Sequence, residues 1–212
     1  PRVVVHDDAV PDARTYKSRL YHIYNDPDVK DDLNRRALPE EPLPDLVLNA
    51  YYLLGYDWRE AWKAWRKAGL LTPPVMITVA NRTETAARVK HAFDSRRIHI
   101  DELCDPERVL HIDSKVLSQA EGLAESVTSA IPDESDEENE DGFPVERKLS
   151  KAAQAELLRQ TVDTVGKIGQ LGEKVQKVIS VGMLSEGWDA KTVTHIMGLR
   201  AFTSQLLCEQ VV

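Results

Sequence analysis

The amino-acid sequence predicts an α/β protein: a parallel sheet covered by helices, preceded by a mostly helical segment. Three observations carry that expectation. Between residues 73 and 212, short apolar runs alternate with stretches of helical spacing, which is how strand–helix–strand crossovers read. The first of these runs is apolar almost throughout rather than alternating with polar residues, as in strands buried on both faces. Residues 1–72, by contrast, carry helix signals and only one short candidate strand.

The elements follow in chain order. Arg2-Val3-Val4-Val5-His6 is a candidate strand, and Tyr16–Tyr24 places Leu20, Ile23 and Tyr24 at helical spacing. Leu46–Leu54 follows Pro44, a helix opener. Asp57 and Glu60 match a capping box for a further helix, and Gly69 matches its stop. Ala61, Trp62, Trp65 and Ala68 share one face of that helix and read as core packing rather than as a base-stacking surface. Val75–Ala80 is a strand, and Thr83 caps a helix through about Phe93. Val109–Ile112 is the next strand. Ser150–Val165 has Ala153, Leu157, Leu158 and Val162 at helical spacing, Val178–Val181 and Val193–Leu199 are two more strands, and Ser204–Val212 starts another helix. No internal repeat is evident.

Composition bounds the function. The 212 residues, 42% hydrophobic and 6% aromatic, suffice for one α/β domain with a core plus a smaller appendage. No apolar run reaches the ~20 residues a bilayer-spanning helix needs, and no charged-then-apolar leader begins the chain. Cys104 and Cys208 form no CxxC pair, which argues against a zinc site or a disulfide framework and fits a reducing cytoplasm. The six histidines show no metal-ligand spacing, and Ser204 and His195 lack a triad partner at recognisable spacing. The formal charge of −8 argues against a nucleic-acid binder, but residues 131–144 hold seven acids and no base, and without those acids the charge is −1. Such a run is expected to be a solvated, mobile insertion. Pro1 at the start, and Val211 and Val212 closing an apolar stretch, read as cuts in a longer chain.

In open α/β sheets, ligands gather at the carboxyl ends of the strands. Three such ends carry polar residues and a turn: Asn81-Arg82-Thr83, Asp113-Ser114-Lys115, and Gly182–Asp189. Thr83 and the free amides around it are suited to a phosphate. Each, taken alone, is equally well read as turn and cap chemistry. The segment Ser180-Val-Gly-Met-Leu-Ser-Glu-Gly-Trp-Asp189-Ala-Lys is more specific: a strand runs into a loop with two glycines, two acids and a tryptophan. Gly187 allows the backbone to approach a ligand, and Asp189 can accept hydrogen bonds from sugar hydroxyls.

Val178–Gln210, VISVGMLSEGWDAKTVTHIMGLRAFTSQLLCEQ, resembles helicase motif V and the approach to motif VI in type III restriction-enzyme subunits and related superfamily-two helicase-like ATPases of the DEAD/DEAH-box kind. Val75–Arg88, VMITVANRTETAAR, resembles motif IV less specifically. The resemblance covers about residues 73–212 and implies a second, incomplete RecA-like helicase lobe there, with an acidic insertion at about 131–144. Residues 1–72 would be the helical inter-lobe region. It implies that Gly187, Asp189 and Gln210 contact ATP, Asp189 at the ribose. It implies that Arg82, Thr83, Lys115 and Val181 face the nucleic-acid backbone. The arginines of motif VI, the phosphate loop GxxxxGK[ST] and the acidic magnesium motif are not in this sequence. Phosphoryl transfer depends on those groups. The resemblance therefore implies ATP-contacting residues here, and catalysis and magnesium binding shared with a first RecA-like lobe of the same chain. Its partners would be DNA and, in a restriction system, a modification subunit. A non-catalytic nucleotide- or nucleic-acid-binding module of the same fold is the alternative. A third reading makes the acidic segment an interaction surface.

Overall fold

A computed structural model describes residues 20, 22–112, 151–181 and 191–201. The predicted strand at residues 2–6, the acidic insertion, and the helix over residues 204–212 lie outside the described residues. So do Lys115, Gly187, Asp189 and Gln210.

The sheet has four parallel strands in the order β2-β3-β1-β4: β1 (Val75–Ala80), β2 (Val109–Ile112), β3 (Lys177–Val181) and β4 (Val193–Leu199). β1 pairs with β3 through Ala80↔Val181 and with β4 through Ala80↔Leu199, while β2 pairs with β3 through Ile112↔Ser180. All six residues of β1 are buried, as its unbroken apolar run requires of a strand covered on both faces. The arrangement is the RecA-like one expected: a parallel sheet covered by helices and preceded by a mostly helical segment.

Four helices accompany the strands: α1 (Pro27–Asn34), α2 (Asp45–Lys67), α3 (Thr83–Asp94) and α4 (Lys151–Asp163). The chain leaves β1 toward the β2 edge through α3 and returns inward from β2 to β3 through α4. Right-handed crossovers running in opposite directions must cover opposite faces. Accordingly, Val89, Ala92 and Phe93 of α3 cluster with Met76, Ala80 and Ile179, whereas Val162 of α4 clusters with Val75, Ile77, Val79 and Val178. The first cluster also takes Ile23, Val29, Leu33, Leu43, Val47, Tyr51 and Trp58, so one core receives side chains from both sides of residue 72.

Of the helix predicted over Tyr16–Tyr24, Ile23 and Tyr24 lie instead in a 3-10 turn, Ile23–Asn25. The structure corrects two further local expectations. The two helices predicted over residues 46–69 are a single 23-residue helix, α2. Its apolar stripe runs through Leu46, Val47, Ala50, Tyr51 and Trp58, so burial carries the helix through Gly55 and past Asp57, where a second helix was expected to start. A Cβ at Gly55 would come within 2.8 Å of Ile100 Cγ1, so the glycine serves close packing. Asp57 consequently sits mid-helix and caps nothing. Gly69 does end the helix: at φ +76° it lets the Gly69 and Leu70 amides bond back to the Arg66 and Trp65 carbonyls. The second correction is at α3, whose N-cap position is Arg82, with Thr83 as the first helical residue.

The face read as core is only partly so: Trp62 and Trp65 are half-buried, Trp62 alone of the two packs against the larger cluster, and Ala68 is exposed. The fully buried tryptophan is Trp58, which the sequence reading did not single out and which donates from Nε1 to the Pro74 carbonyl at 2.8 Å. Trp62 stacks on it at 5.9 Å between centroids and carries the Arg66 guanidinium over its ring. Among the described residues no helix is long and apolar enough to cross a membrane.

Candidate functional site at the carboxyl edge of the sheet

Because every strand is parallel, the chain leaves each of them at one edge. Asn81 follows Ala80 there, next to Val181 on β3 and Leu199 on β4, and Ile112 ends β2 one strand further out. The last residues of the four strands, Ala80, Ile112, Val181 and Leu199, thus lie along one edge, and Asn81–Thr83 is the one of the three polar carboxyl ends that falls among the described residues.

Asn81 organises this edge. Its Nδ2 donates to the Leu33 carbonyl at 3.0 Å and to Asn34 Oδ1 at 3.1 Å. Its Oδ1 accepts from the Thr85 hydroxyl at 2.6 Å. Leu33 and Asn34 close α1, whose last carbonyls lack intrahelical donors, so Asn81 supplies donors that the helix end needs.

Arg82 continues the same contact. Its Nη1 donates to the Asn34 carbonyl and, at 3.4 Å, to that of Arg35, while Nε lies 3.6 Å from Glu84 Oε2. Its side chain stays 37% exposed, so the guanidinium is anchored yet still reaches solvent. Thr83, half-buried, begins α3, and no side chain caps that helix. The first amides of α3 and the partly exposed Arg82 therefore form one electropositive corner beside the carboxyl end of β1. Val181 is half-buried and packs against the core beneath α1–α3, leaving main chain rather than side chain to offer at the edge.

Two more arginines, Arg88 on α3 and Arg97 just after it, hold the connection between α1 and α2. Arg88 is 2% exposed; it pairs with Asp32 at 2.8 Å, and its Nε and Nη2 donate to the Glu41 and Pro42 carbonyls. Arg97 donates to the Glu40 carbonyl at 3.1 Å. Glu41 is held below the usual carboxylate range by the Leu38 amide first and the Arg35 guanidinium second. Arg88 is thus spent on structure, whereas Arg82, though anchored, keeps part of its side chain in solvent.

Sequence reasoning missed Asn81 as an organiser and Arg88 as a buried clamp. A polar residue directly after a buried strand, and an arginine on the apolar face of a helix, were the available signals. It also found no partner for His195. The structure brings two: Nε2 lies 3.2 Å from Asp57 Oδ2, and Nδ1 lies 2.7 Å from Thr194 Oγ1. The β-bulge that skips Thr194 between the Val75↔Val193 and Met76↔His195 pairs lets these two neighbours meet. This group lies at the amino end of β4, away from the carboxyl edge, and ties α2 to the sheet.

The described residues include no group of three His, Cys, Asp or Glu side chains that could hold a metal ion. Comparison with known proteins returned no matching family profile, no matching curated protein and no matching solved structure.

Proposed function

We propose that this chain is part of an ATP-dependent nucleic-acid translocase or helicase, a type III restriction-enzyme-like subunit, and contributes its second RecA-like lobe. The observation that carries the reading is the shared edge. The parallel register pairs Ala80, which precedes the motif-IV-like Asn81–Thr83 in sequence, with Val181, which precedes the motif-V-like Gly182–Asp189. That pairing supports a reading in which both resemblances serve the edge where a doubly wound sheet meets its ligands.

In this reading Arg82, Thr83, Lys115 and the main chain at Val181 meet the nucleic-acid backbone. Arg82 and the uncapped start of α3 suit a phosphate, the guanidinium by charge and the amides by the helix dipole. Such contacts fix position on the strand and carry no sequence information. Gly187, Asp189 and Gln210 would meet ATP, with Asp189 accepting from the ribose hydroxyls. The magnesium ligands and the phosphate-loop lysine would come from a first lobe, and the nucleotide would supply the energy that closes the two lobes on DNA. A cytoplasmic setting and a modification subunit belong to the same reading. For these 212 residues by themselves, the lack of a phosphate-loop sequence favours a second reading, a nucleotide- or nucleic-acid-binding module without catalysis.

The test is Asp189→Ala in the chain that carries both lobes, with ATPase kinetics and melting measured on one preparation. Loss of a sugar hydrogen bond is expected to cost about 1–3 kcal/mol of ATP binding. The Michaelis constant for ATP should therefore rise roughly five- to 150-fold with Tm little changed. A destabilised protein with a normal Michaelis constant would make Asp189 a turn cap and remove the ribose assignment.

A further inference from the structure

The most unusual buried group lies at the other end of β3. Lys177 is 0% exposed and faces the core beneath α2 and α3, across from Met76 on β1 and Val109 on β2. Its Nζ sits against the Phe93 ring and 4.8 Å from the Tyr51 centroid, and it has no hydrogen-bond partner among the described residues. Those two rings meet edge to face at 5.2 Å, which fixes an aromatic wall around the amine.

Each group that might neutralise an ammonium here is committed elsewhere. The Tyr51 hydroxyl on α2 bonds Thr78 Oγ1 at 2.8 Å, and burial holds its proton on far above the usual tyrosine range. The Cys104 thiol donates to the Ile98 carbonyl at 3.1 Å, and burial raises it too above the usual range. Asp94, at the end of α3, has a one-third-exposed side chain and pairs with Lys90. His111 on β2 shares this face two pairs further along, opposite Ile179, and can bring no negative charge. Among the described residues a charged amine would therefore be buried without a counter-ion, and ring faces alone do not replace its lost hydration. A neutral amine fits, because its N–H groups can point at the aromatic faces.

We infer that Lys177 is an uncharged amine in the folded protein and makes the fold pH-sensitive, its protonation destabilising the packing of α2 and α3 on the sheet. Burial acts in the same direction, holding the amine well below the usual lysine range, with Cys104 and then Asp94 opposing it weakly. The sign follows. The unfolded lysine titrates near 10.5 and the folded one lower, so between those values the unfolded chain carries a proton that the folded chain does not. Stability then rises with pH through that window and is lost as pH falls toward the folded-state value. Tyr51 and Cys104 have the opposite sign but act only above their ordinary values of 10.0 and 9.0. Neither therefore acts near neutral pH; the histidines that titrate in that range are common to the protein and a Lys177 variant, so the difference between the two reads the lysine. The buried lysine stands apart from the motor reading.

The experiment compares the protein with its Lys177→Met variant by thermal melting between about pH 6 and pH 8, alongside an NMR titration of the Lys177 side-chain carbon next to the amine. The variant's own spectrum identifies that signal. Acidification should destabilise the wild type relative to the variant, by up to about tenfold in the unfolding constant per pH unit, the limit for one proton. The Lys177 signal should have the shift of a neutral amine at about pH 8. Parallel melting curves, or an ammonium signal at that pH, would overturn the inference. So would failure of Lys177→Met to fold, since an apolar side chain of similar length should fit a site that holds an uncharged one.

Discussion

The two faces of the sheet are built to different depths. Among the described residues, a cluster of twenty-two buried residues lies under α1, α2 and α3, and one of nine behind α4. The larger face is crossed by polar ties as well: Trp58 to Pro74, Tyr51 to Thr78, Arg88 to the loop after α1, and His195 to Asp57. The smaller face is almost wholly aliphatic, and exposed Leu157, Ile168 and Leu171 lie on or just after α4. The difference teaches that the helical segment before β1 is a working part of the core. It also shows which side fixes the geometry of the carboxyl edge: Asn81 and Arg82 take their partners from α1, on the deep face.

The largest expected effect breaks that face. Trp58→Ala removes a fully buried indole and leaves the Pro74 carbonyl without its donor, and should cost about 3–5 kcal/mol by equilibrium unfolding. Val162→Ala on the other face removes two methyl groups from a side chain 3% exposed and should cost about 2 kcal/mol. Equal losses would mean that the faces are equally stabilising despite their sizes.

A smaller effect sharpens the link from the deep face to the edge. Asn81→Ala removes the donors that close α1 at Leu33 and Asn34, and should lower stability by about 1–2 kcal/mol. Amide exchange should quicken in α1 and at the start of α3 while α4 is unaffected. Uniform quickening across both faces would deny Asn81 a local role.

Much of this fold was legible because the strands advertise themselves. The run Val75–Ala80 is apolar but for Thr78, and Thr78 is buried only because Tyr51 meets its hydroxyl. α3 and α4 followed from their apolar spacing, to within a residue or two at each end. α1 was not read, since PDVKDDLN offers only Val29 and Leu33 to the core; its signals were Asp26, which accepts from the Val29 amide, and Pro27 at the first helical position. Asp57 read as the start of a second helix because its bond to His195, 138 residues away, is a tertiary fact with no local signature. The carboxyl edge was foreseen from strand ends alone, since a parallel sheet must deliver them together. That Arg82 is anchored to α1, while Arg88 is sealed in the core, could not be read from charge.

The central claim is that these residues belong to an ATP-driven motor completed by a first lobe. The most direct measurement is ATP hydrolysis with and without DNA, by the two-lobed chain and by the 212-residue chain side by side. The account predicts DNA-stimulated turnover by the two-lobed chain and none above a buffer blank by the 212 residues, which lack the phosphate-loop lysine on which phosphoryl transfer depends. Turnover by the shorter chain purified free of contaminating ATPase, or a two-lobed chain with no DNA-stimulated hydrolysis, would contradict it.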